Sequence, residues 1–405
     1  MKTGRMHNMR SLNPSFVRNS PALRDPACKG NGDVKVTTMT WKFQTKNLAT
    51  WTSVTMFFLL MYSPGWTAEP VTPSTPETKS EPHLANIQQL TFSGKNAEAY
   101  FSPDGYKLVY QSTLEPDGKT LRSCYQIYTM DLDGSNVRRV STGLGGTTCS
   151  YFFPGSRRLL FSSTHFVSTH CPPKLPRTKR YRWALDNYDI FSMNVAGTDL
   201  QRLTSAPGYD AEATIAPNGK TVVFTSVRDG DLDIYSMNID GRNIKRLTKE
   251  VGYDGGAFYS PDSKRIVYRA HHPQAEDEVK AYQDLLAQNQ VEPANLEIFV
   301  MNADGSNKTQ VTDNGRSNFA PFFFPDGKHI IFSSNLATPP DHQGRPSFHL
   351  HVIGDDGTKP EQITFNGQFN SFPMFSPDGK QLVWSSDRNT TKPDEFNIFI
   401  ADWVP

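Results

Sequence analysis

A repeated pattern of sixteen residues restricts the fold of this 405-residue chain more than any other feature. Its last copy, "FPMFSPDGKQLVWSSD" from Phe372, joins a Ser-Pro-Asp-Gly turn to a strand in which polar and apolar residues alternate. Aligned without gaps, six copies share one proline column: Pro103, Pro154, Pro217, Pro261, Pro325 and Pro377. Each copy therefore predicts a hairpin of two strands.

A second block follows each hairpin and adds two more strands. One example is "LDIYSMNIDGRNIKRLTK" from Leu232, with an Asp-Gly turn in the middle. Four antiparallel strands per repeat, at intervals of roughly fifty residues, are typical of propeller blades. The sixth repeat stops after its third strand, but "IQQLTFSG" (87–94) matches the fourth strand of the fifth repeat, "PEQITFNG" (360–367). We therefore predict an all-β, six-bladed β-propeller over residues 85–405 that is closed by the N-terminal strand.

The segment before the propeller has the features of an export signal. The apolar run "LATWTSVTMFFLLMY" (48–62) is preceded by Lys42 and Lys46 and followed by small residues. This layout is typical of a secretory signal, and the run is short for a membrane span. We assign residues 1–68 to a leader with a signal peptide or an uncleaved anchor, with Met39 as an alternative start, and residues 69–84 to a disordered linker. The expected location is the periplasm or the exterior.

The hairpin and the block after it together resemble the TolB-type, WD40-like PD40 repeat over residues 85–405. The resemblance implies a propeller fold and export, without naming a ligand. TolB carries an α/β domain ahead of its propeller, for which this chain has no room, so a Tol–Pal role stays open. Related propellers occur in prolyl oligopeptidases and in oligogalacturonate lyase. The sequence has no G-x-S-x-G motif, which argues against a serine hydrolase.

We expect a binding site on the face where strand two of each blade connects to strand three, which we call the insertion face. Blades two and four carry long insertions there, starting at His165 and His271, and long loops on a rigid scaffold commonly bind ligands. The candidate ligand-binding residues at the channel mouth are Asn96, Glu98, Asp210, Glu212, Asp254, Asn318 and Asn370. The asparagines and aspartates also fit as caps of the innermost strands, and the repetition of a short polar residue in all six blades favours this structural role.

Histidines and cysteines on the insertion face give two further hypotheses. His271 and His272 are candidate ligands for a divalent cation, the only cofactor considered, although adjacent histidines in a strand point to opposite sides. An exported chain can keep a disulfide. We expect Cys149–Cys171, with Cys124–Cys149 as the second choice, because Cys171 lies on a long loop.

The insertion of blade four predicts the one helix of the folded region, over residues 275–290. Its apolar residues fall on one face at helical spacing: Val279, Tyr282, Leu285 and Leu286. This stripe either packs onto the propeller as core or serves as a lid or docking surface.

Two functions remain open. The first is a non-catalytic, exported, monomeric propeller that binds an envelope protein or a glycan through the insertion face. The second is a metal-assisted, lyase-like enzyme that uses His271, His272 and the acidic channel residues. A formal net charge of +1 gives the protein no strong positive potential that would attract nucleic acid. Membrane contact is expected only through an uncleaved N-terminal anchor.

Overall fold

Six four-stranded antiparallel sheets make up the folded region, as predicted. The computed structural model describes residues 79–178, 180–339 and 341–405. The predicted leader, with its signal or anchor, lies outside the described residues. No helix in the described ranges is long and apolar enough to cross a membrane.

Each blade runs from an innermost first strand to an outermost fourth strand. The first strand of the described residues, β1 (Leu84–Gln89), belongs to the last blade. Blade one contains β2 (Asn96–Phe101), β3 (Lys107–Leu114), β4 (Leu121–Asp131) and β5 (Arg138–Arg139). Blade two contains β6 (Thr147–Phe152), β7 (Arg158–Ser163), β9 (Asp189–Asn194) and β10 (Gln201–Arg202), with β8 (Trp183–Ala184) in its insertion. Blade three contains β11 (Asp210–Ile215), β12 (Thr221–Ser226), β13 (Asp233–Asn238) and β14 (Lys245–Arg246).

The remaining blades follow the same plan. Blade four contains β15 (Tyr253–Tyr259), β16 (Arg265–His271), β18 (Glu297–Asn302) and β19 (Thr309–Gln310), with α1 (Glu276–Leu286) and β17 (Gln290–Val291) in its insertion. Blade five contains β20 (Asn318–Phe323), β21 (His329–Ser334), β22 (His349–Gly354) and β23 (Glu361–Gln362). Blade six contains β24 (Asn370–Phe375), β25 (Gln381–Ser386), β26 (Asn397–Trp403) and β1.

Strand β1 closes the ring by pairing with β26, which confirms the predicted closure. Gln88 lies opposite Ile400, and Gln89 lies opposite Phe399. Strand β23 pairs with β22 at the equivalent positions of blade five. Closure by the first and last strands of the chain gives blade six the edge strand that its own C-terminal repeat lacks.

A ring pair between the second and third strands recurs in every blade and explains one repeated feature of the sequence. The paired residues are Tyr110–Tyr128, Phe161–Phe191, Phe224–Tyr235, Tyr268–Phe299, Phe332–His351 and Trp384–Phe399. Their ring centroids lie between 5.6 and 6.0 Å apart. Such cross-strand pairs stabilise a sheet and fill the space between neighbouring blades. His351 takes the place of an aromatic residue here and is buried.

The propeller begins before residue 85, within the segment predicted as a disordered linker. Glu81 is buried and forms an ion pair with Arg388 at 2.8 Å. Lys79 and Asn366 exchange two hydrogen bonds, and Leu84 already belongs to β1. The prediction of a linker was wrong here because it rested on a Pro- and Thr-rich composition, which gives no sign that one carboxylate in the segment is buried.

The two long insertions meet above blade three, whose own connection is short. Strand β8 pairs with β17, so that Trp183 lies opposite Val291. Helix α1 is shorter than predicted and none of its residues is fully buried. Tyr282 and Leu286 nevertheless pack against a cluster that includes Leu232 and Tyr253. The apolar stripe of the helix therefore serves as core, the first of the two interpretations.

Replacing Tyr282 with phenylalanine tests how the helix is attached. The Tyr282 hydroxyl lies 2.5 Å from a carboxylate oxygen of Asp231 and 2.7 Å from the carbonyl oxygen of Gly252, and it donates its one proton to one of these acceptors. Tyr282→Phe removes this donor, and we expect the free energy of unfolding in urea to fall by about 1–2 kcal/mol. Tyr106, which is 76% exposed, provides the matched control Tyr106→Phe. Equal stability of both variants would mean that the helix is not held by this contact.

Candidate functional site

The innermost strand of each blade, which lines the central channel, carries a bulge at one residue. The bulge interrupts the pairing of the first two strands in all six blades. The bulged residue has a φ between +51° and +60° in each case. We call these residues the wall ring: Glu98, Cys149, Glu212, Gly256, Ala320 and Phe372. Six equivalent backbone positions thus carry five different residue types, with glutamate at two of them.

Aromatic rings two residues further along the same strands close the channel below the wall ring. Tyr100 of blade one contacts Phe258 of the opposite blade four, with 5.5 Å between ring centroids. Tyr151 and Phe322 pack against the same Phe258 ring. These four aromatic residues are the floor of a blind channel that opens toward the insertion face, and we call this channel the cup.

Glu98 is the least compensated charge on the wall. Its carboxylate accepts a hydrogen bond from the Gln111 amide at 3.2 Å and forms no ion pair with a described residue. Burial raises the pKa of Glu98 to about 7, with a further upward contribution from Glu212, although the Cys149 thiol donates to the carboxylate and opposes the shift. Burial also raises the pKa of Cys149 well above its usual value, so Cys149 is a thiol at neutral pH.

Glu212, by contrast, is fully partnered. It forms an ion pair with Arg269 and accepts hydrogen bonds from the Thr225 hydroxyl and the Gly256 amide, both at 2.9 Å. Arg269 is buried and also donates to the Tyr253 hydroxyl at 2.7 Å. A Cβ atom on Gly256 would lie 2.1 Å from the Arg269 guanidinium. Glycine at this wall position is therefore what allows the arginine to cross blade four.

The wall on blades five and six is apolar. Phe372 contacts Phe319 at 6.0 Å and Phe369 at 6.4 Å between ring centroids. Phe348 and Phe396 extend this group toward the insertion face. All five rings are half-buried. The cup thus has a polar side on blades one to four and an aromatic side on blades five and six.

Family comparison agrees with this architecture. The profile of the PD40 family, described as the TolB beta propeller domain, matches residues 176–290 and 281–403, more than half of the chain. The chain belongs to the TolB β-propeller family. A TolB-type structure from Agrobacterium tumefaciens superimposes with a TM-score of 0.52 at 20% identity, over 79% of this chain and 97% of that one. At this identity, the likeness concerns the fold alone.

Two enzymes are among the proteins to which parts of this chain are similar. A stretch of 95 residues is 32% identical to dipeptidyl-peptidase 5 of Porphyromonas endodontalis, covering 23% of this chain and 12% of that protein. The chain thus matches about an eighth of this relative. Oligogalacturonate lyase in complex with manganese has a TM-score of 0.48 at 14% identity, over 81% of this chain and 96% of that one. This likeness supports neither a shared substrate nor a shared metal.

Most of the predicted ligand-binding residues belong to the framework of the TolB-type propeller. Asn96, Asn318 and Asn370 are buried, and each donates to a backbone carbonyl of the preceding blade: Phe396, Leu296 and Phe348, respectively. Asp210 is buried against Arg228, which lies 2.9 Å from both of its oxygens, and Asp254 is buried against His272. These five side chains connect elements of the propeller, as the capping interpretation required.

Glu98 and Glu212 are the two candidates that the structure brings together, on the polar side of the cup. Arg269, Cys149, Gln111 and Tyr253 were not predicted as site residues. A signal for Arg269 existed, because "IVYRAH" (266–271) carries arginine where the other blades carry Gln, Ser or Thr. Among the six blades, blade four alone combines an arginine at this position with a glycine, Gly256, in the wall ring. The small glycine leaves the space that the large arginine side chain occupies.

The two candidate metal ligands point to different surroundings. His272 lies 3.1 Å from Asp254, whereas His271 is half-buried elsewhere and burial lowers its pKa. Burial lowers the pKa of His272 as well, but its hydrogen bond to Asp254 outweighs that effect, and the net shift is upward. In the described part of the chain no group of three or more His, Cys, Asp or Glu is arranged to hold a metal ion. A metal site here stays a prediction.

The predicted disulfide was wrong. Cys171 bonds to Cys124, with 5.6 Å between their Cα atoms, and Cys149 is free. The physical reason is the bulge at Cys149, which turns its thiol into the cup beside Glu98. Cys124 lies on the third strand of blade one, beside Gly145 in the connection to blade two, where the insertion of blade two can reach it.

Proposed function

We propose that this protein is an exported, non-catalytic binding module that holds a segment of an envelope protein in the cup. The observation that carries the proposal is Glu98, a carboxylate that forms no ion pair with any residue in the described ranges, on a wall that also bears Phe372. A half-buried carboxylate gains most from a ligand that brings its own positive charge. The preferred ligand is therefore an extended peptide with a lysine or arginine next to apolar residues.

The Cys124–Cys171 disulfide supports the export part of the proposal. Disulfides persist in oxidising compartments and are rare in the reducing cytosol. The predicted secretory signal at residues 48–62 points to the same location.

Selection from a random heptapeptide library, followed by calorimetry with the selected peptides, tests this function. We expect peptides with a basic residue beside apolar ones, and an affinity that drops about tenfold or more in Glu98→Gln, because a charge-assisted hydrogen bond is lost. Glu276→Gln, on the exposed side of α1, is the matched control and should bind normally. Binding of an oligosaccharide array in place of any peptide would contradict the peptide assignment.

The pH dependence of binding gives a further readout of the same interaction. The free carboxylate of Glu98 has a pKa raised to about 7 by burial, and a bound cation lowers the pKa again. Below about pH 7 the proton must leave before the cation binds, so affinity should rise with pH up to about 7 and then level off. Arg269 stays charged and Cys149 stays protonated over this range. Glu98→Gln should bind weakly and without this pH dependence.

A further inference from the structure

A segment of the blade-two insertion, residues 171–178 and 180–184, is anchored on three different blades. We call it the strap. It begins at Cys171, which is bonded to Cys124 of blade one. Arg177 forms an ion pair at 2.7 Å with Asp394, in the connection between strands two and three of blade six. The strap ends in β8, which pairs with β17 of the blade-four insertion.

These anchors lie on different sides of the channel axis. Blade four is opposite blade one in a six-membered ring, and blade six is next to blade one. A chain that passes from blade one by way of blade six to blade four, and that places Trp183 against Arg269 of the polar side of the cup, lies over the insertion-face mouth of the cup. An ion pair at 3.0 Å between Arg180 and Glu292 adds a second contact at the blade-four end. The strap therefore lies across the entrance instead of projecting into solvent.

The strap also contacts the polar side of the cup directly. The Trp183 ring lies 5.3 Å from the Arg269 guanidinium and 6.0 Å from the Tyr253 ring. Arg269 is the residue that holds Glu212 in place. Movement of the strap would therefore break the cation–π contact between Trp183 and Arg269, and the same movement would widen the entrance of the cup.

We propose that the strap gates the cup and that the Cys124–Cys171 disulfide holds the gate closed. The inference deepens the proposed function, since it concerns entry to the same site. The contacts of Arg177 and Arg180 involve exposed arginine side chains, and such ion pairs contribute little. The covalent bond is thus the anchor that keeps the first half of the strap in place, and its loss opens the mouth to larger ligands.

Opening by a dithiol reductant is a balanced exchange. One sulfur of the dithiol forms a mixed disulfide with Cys171 as the bond to Cys124 breaks. The second sulfur then displaces Cys171 and closes a cyclic disulfide in the reductant. Two electrons and two protons pass to the protein, and Cys124 and Cys171 become thiols.

The free thiol of Cys149 is a built-in reporter, because it lies on the wall ring below the strap. The experiment uses the full chain in a Cys28→Ser background and compares two thiol reagents: small methyl methanethiosulfonate and bulky fluorescein maleimide. In the oxidised protein we expect the bulky reagent to modify Cys149 slowly. In Cys124→Ser/Cys171→Ser its rate should rise by about tenfold or more, while the small reagent changes much less, because local opening sets the rate for the larger probe.

A second variant separates the covalent anchor from the exposed ion pairs. Arg177→Ala keeps the disulfide and removes only the contact with Asp394; because this ion pair contributes little, we expect an unchanged thermal transition and a rate of the bulky reagent close to that of the oxidised protein. Arg242→Ala is the control, an 83% exposed arginine on the opposite face, and should leave both rates unchanged. If each reagent modified Cys149 at the same rate in every variant, the proposal that the strap gates the cup would be wrong. Peptide binding plays no part in this assay, so a failure of the proposed function and a failure of the gate give different results.

Discussion

Replacing Glu81 with alanine should lower the free energy of unfolding by about 3–5 kcal/mol, because it leaves a buried charge without its partner. The Glu81 and Arg388 side chains are only 3% and 7% exposed. Glu81 also accepts hydrogen bonds from the backbone amides of Phe365 and Asn366, at 2.7 and 3.2 Å. One carboxylate thus joins the N-terminal segment to blades five and six at the point where the ring closes.

Urea unfolding followed by circular dichroism measures this loss, and the same seam offers a control. Glu361 forms an ion pair with His83 at 2.9 Å but is 58% exposed, so Glu361→Ala should change stability by less than about 1 kcal/mol. The double variant Glu81→Leu/Arg388→Met should lose less than the sum of the two single variants, because it leaves no unpaired charge. Stability of Glu81→Ala equal to that of Glu361→Ala would mean that residues 79–83 do not hold the seam.

The fold was predictable from the sequence because its signals repeat. The proline column, the alternating strands and the match of residues 87–94 to 360–367 appear in the sequence at fixed spacing, and each copy supports the others. The buried ion pair at Glu81 occurs once, in a segment of low-complexity composition. A single contact between residues 307 positions apart leaves no periodic trace.

The site was predictable only in part, for a related reason. Glu98 and Glu212 could be found because they break the symmetry of a repeated column. The role of Asn96, Asn318 and Asn370 could not be decided from spacing alone, since a cap and a ligand contact both require a short polar side chain at the start of a strand. In the structure all three are buried and donate to a backbone carbonyl of the preceding blade, which favours the cap.

The pairing of the two insertions could not be predicted from the sequence, for a different reason. Trp183 and Val291 pair in strands of only two residues each. Strands this short carry no alternation, and nothing local indicates that two loops on different blades will pair. The contact of Trp183 with Arg269 follows from that pairing, so the cover of the cup became visible only in three dimensions.

Loss of the Cys124–Cys171 disulfide should have the second large effect on stability. The bond joins residues 47 positions apart, and closing a loop of that length restricts the unfolded chain by an amount worth about 4 kcal/mol in the chain-entropy description. Cys171→Ser should therefore lower the free energy of unfolding in urea by up to about that amount, and reduction of the unmodified protein should lower it equally.

Cys149→Ser is the control that distinguishes the observed pairing from the alternatives. Cys149 contributes no bond, and serine keeps a donor beside Glu98, so its stability should match that of the unmodified protein within about 0.5 kcal/mol. If the bond were Cys149–Cys171, this variant would lose as much as Cys171→Ser, and if it were Cys124–Cys149, Cys171→Ser would lose little. Only the pairing of Cys124 with Cys171 predicts a large loss on removing either of these two residues and a small one at Cys149. Single serine variants of Cys124, Cys149 and Cys171 also determine whether the strap is covalently anchored to blade one, the condition on which gating of the cup depends.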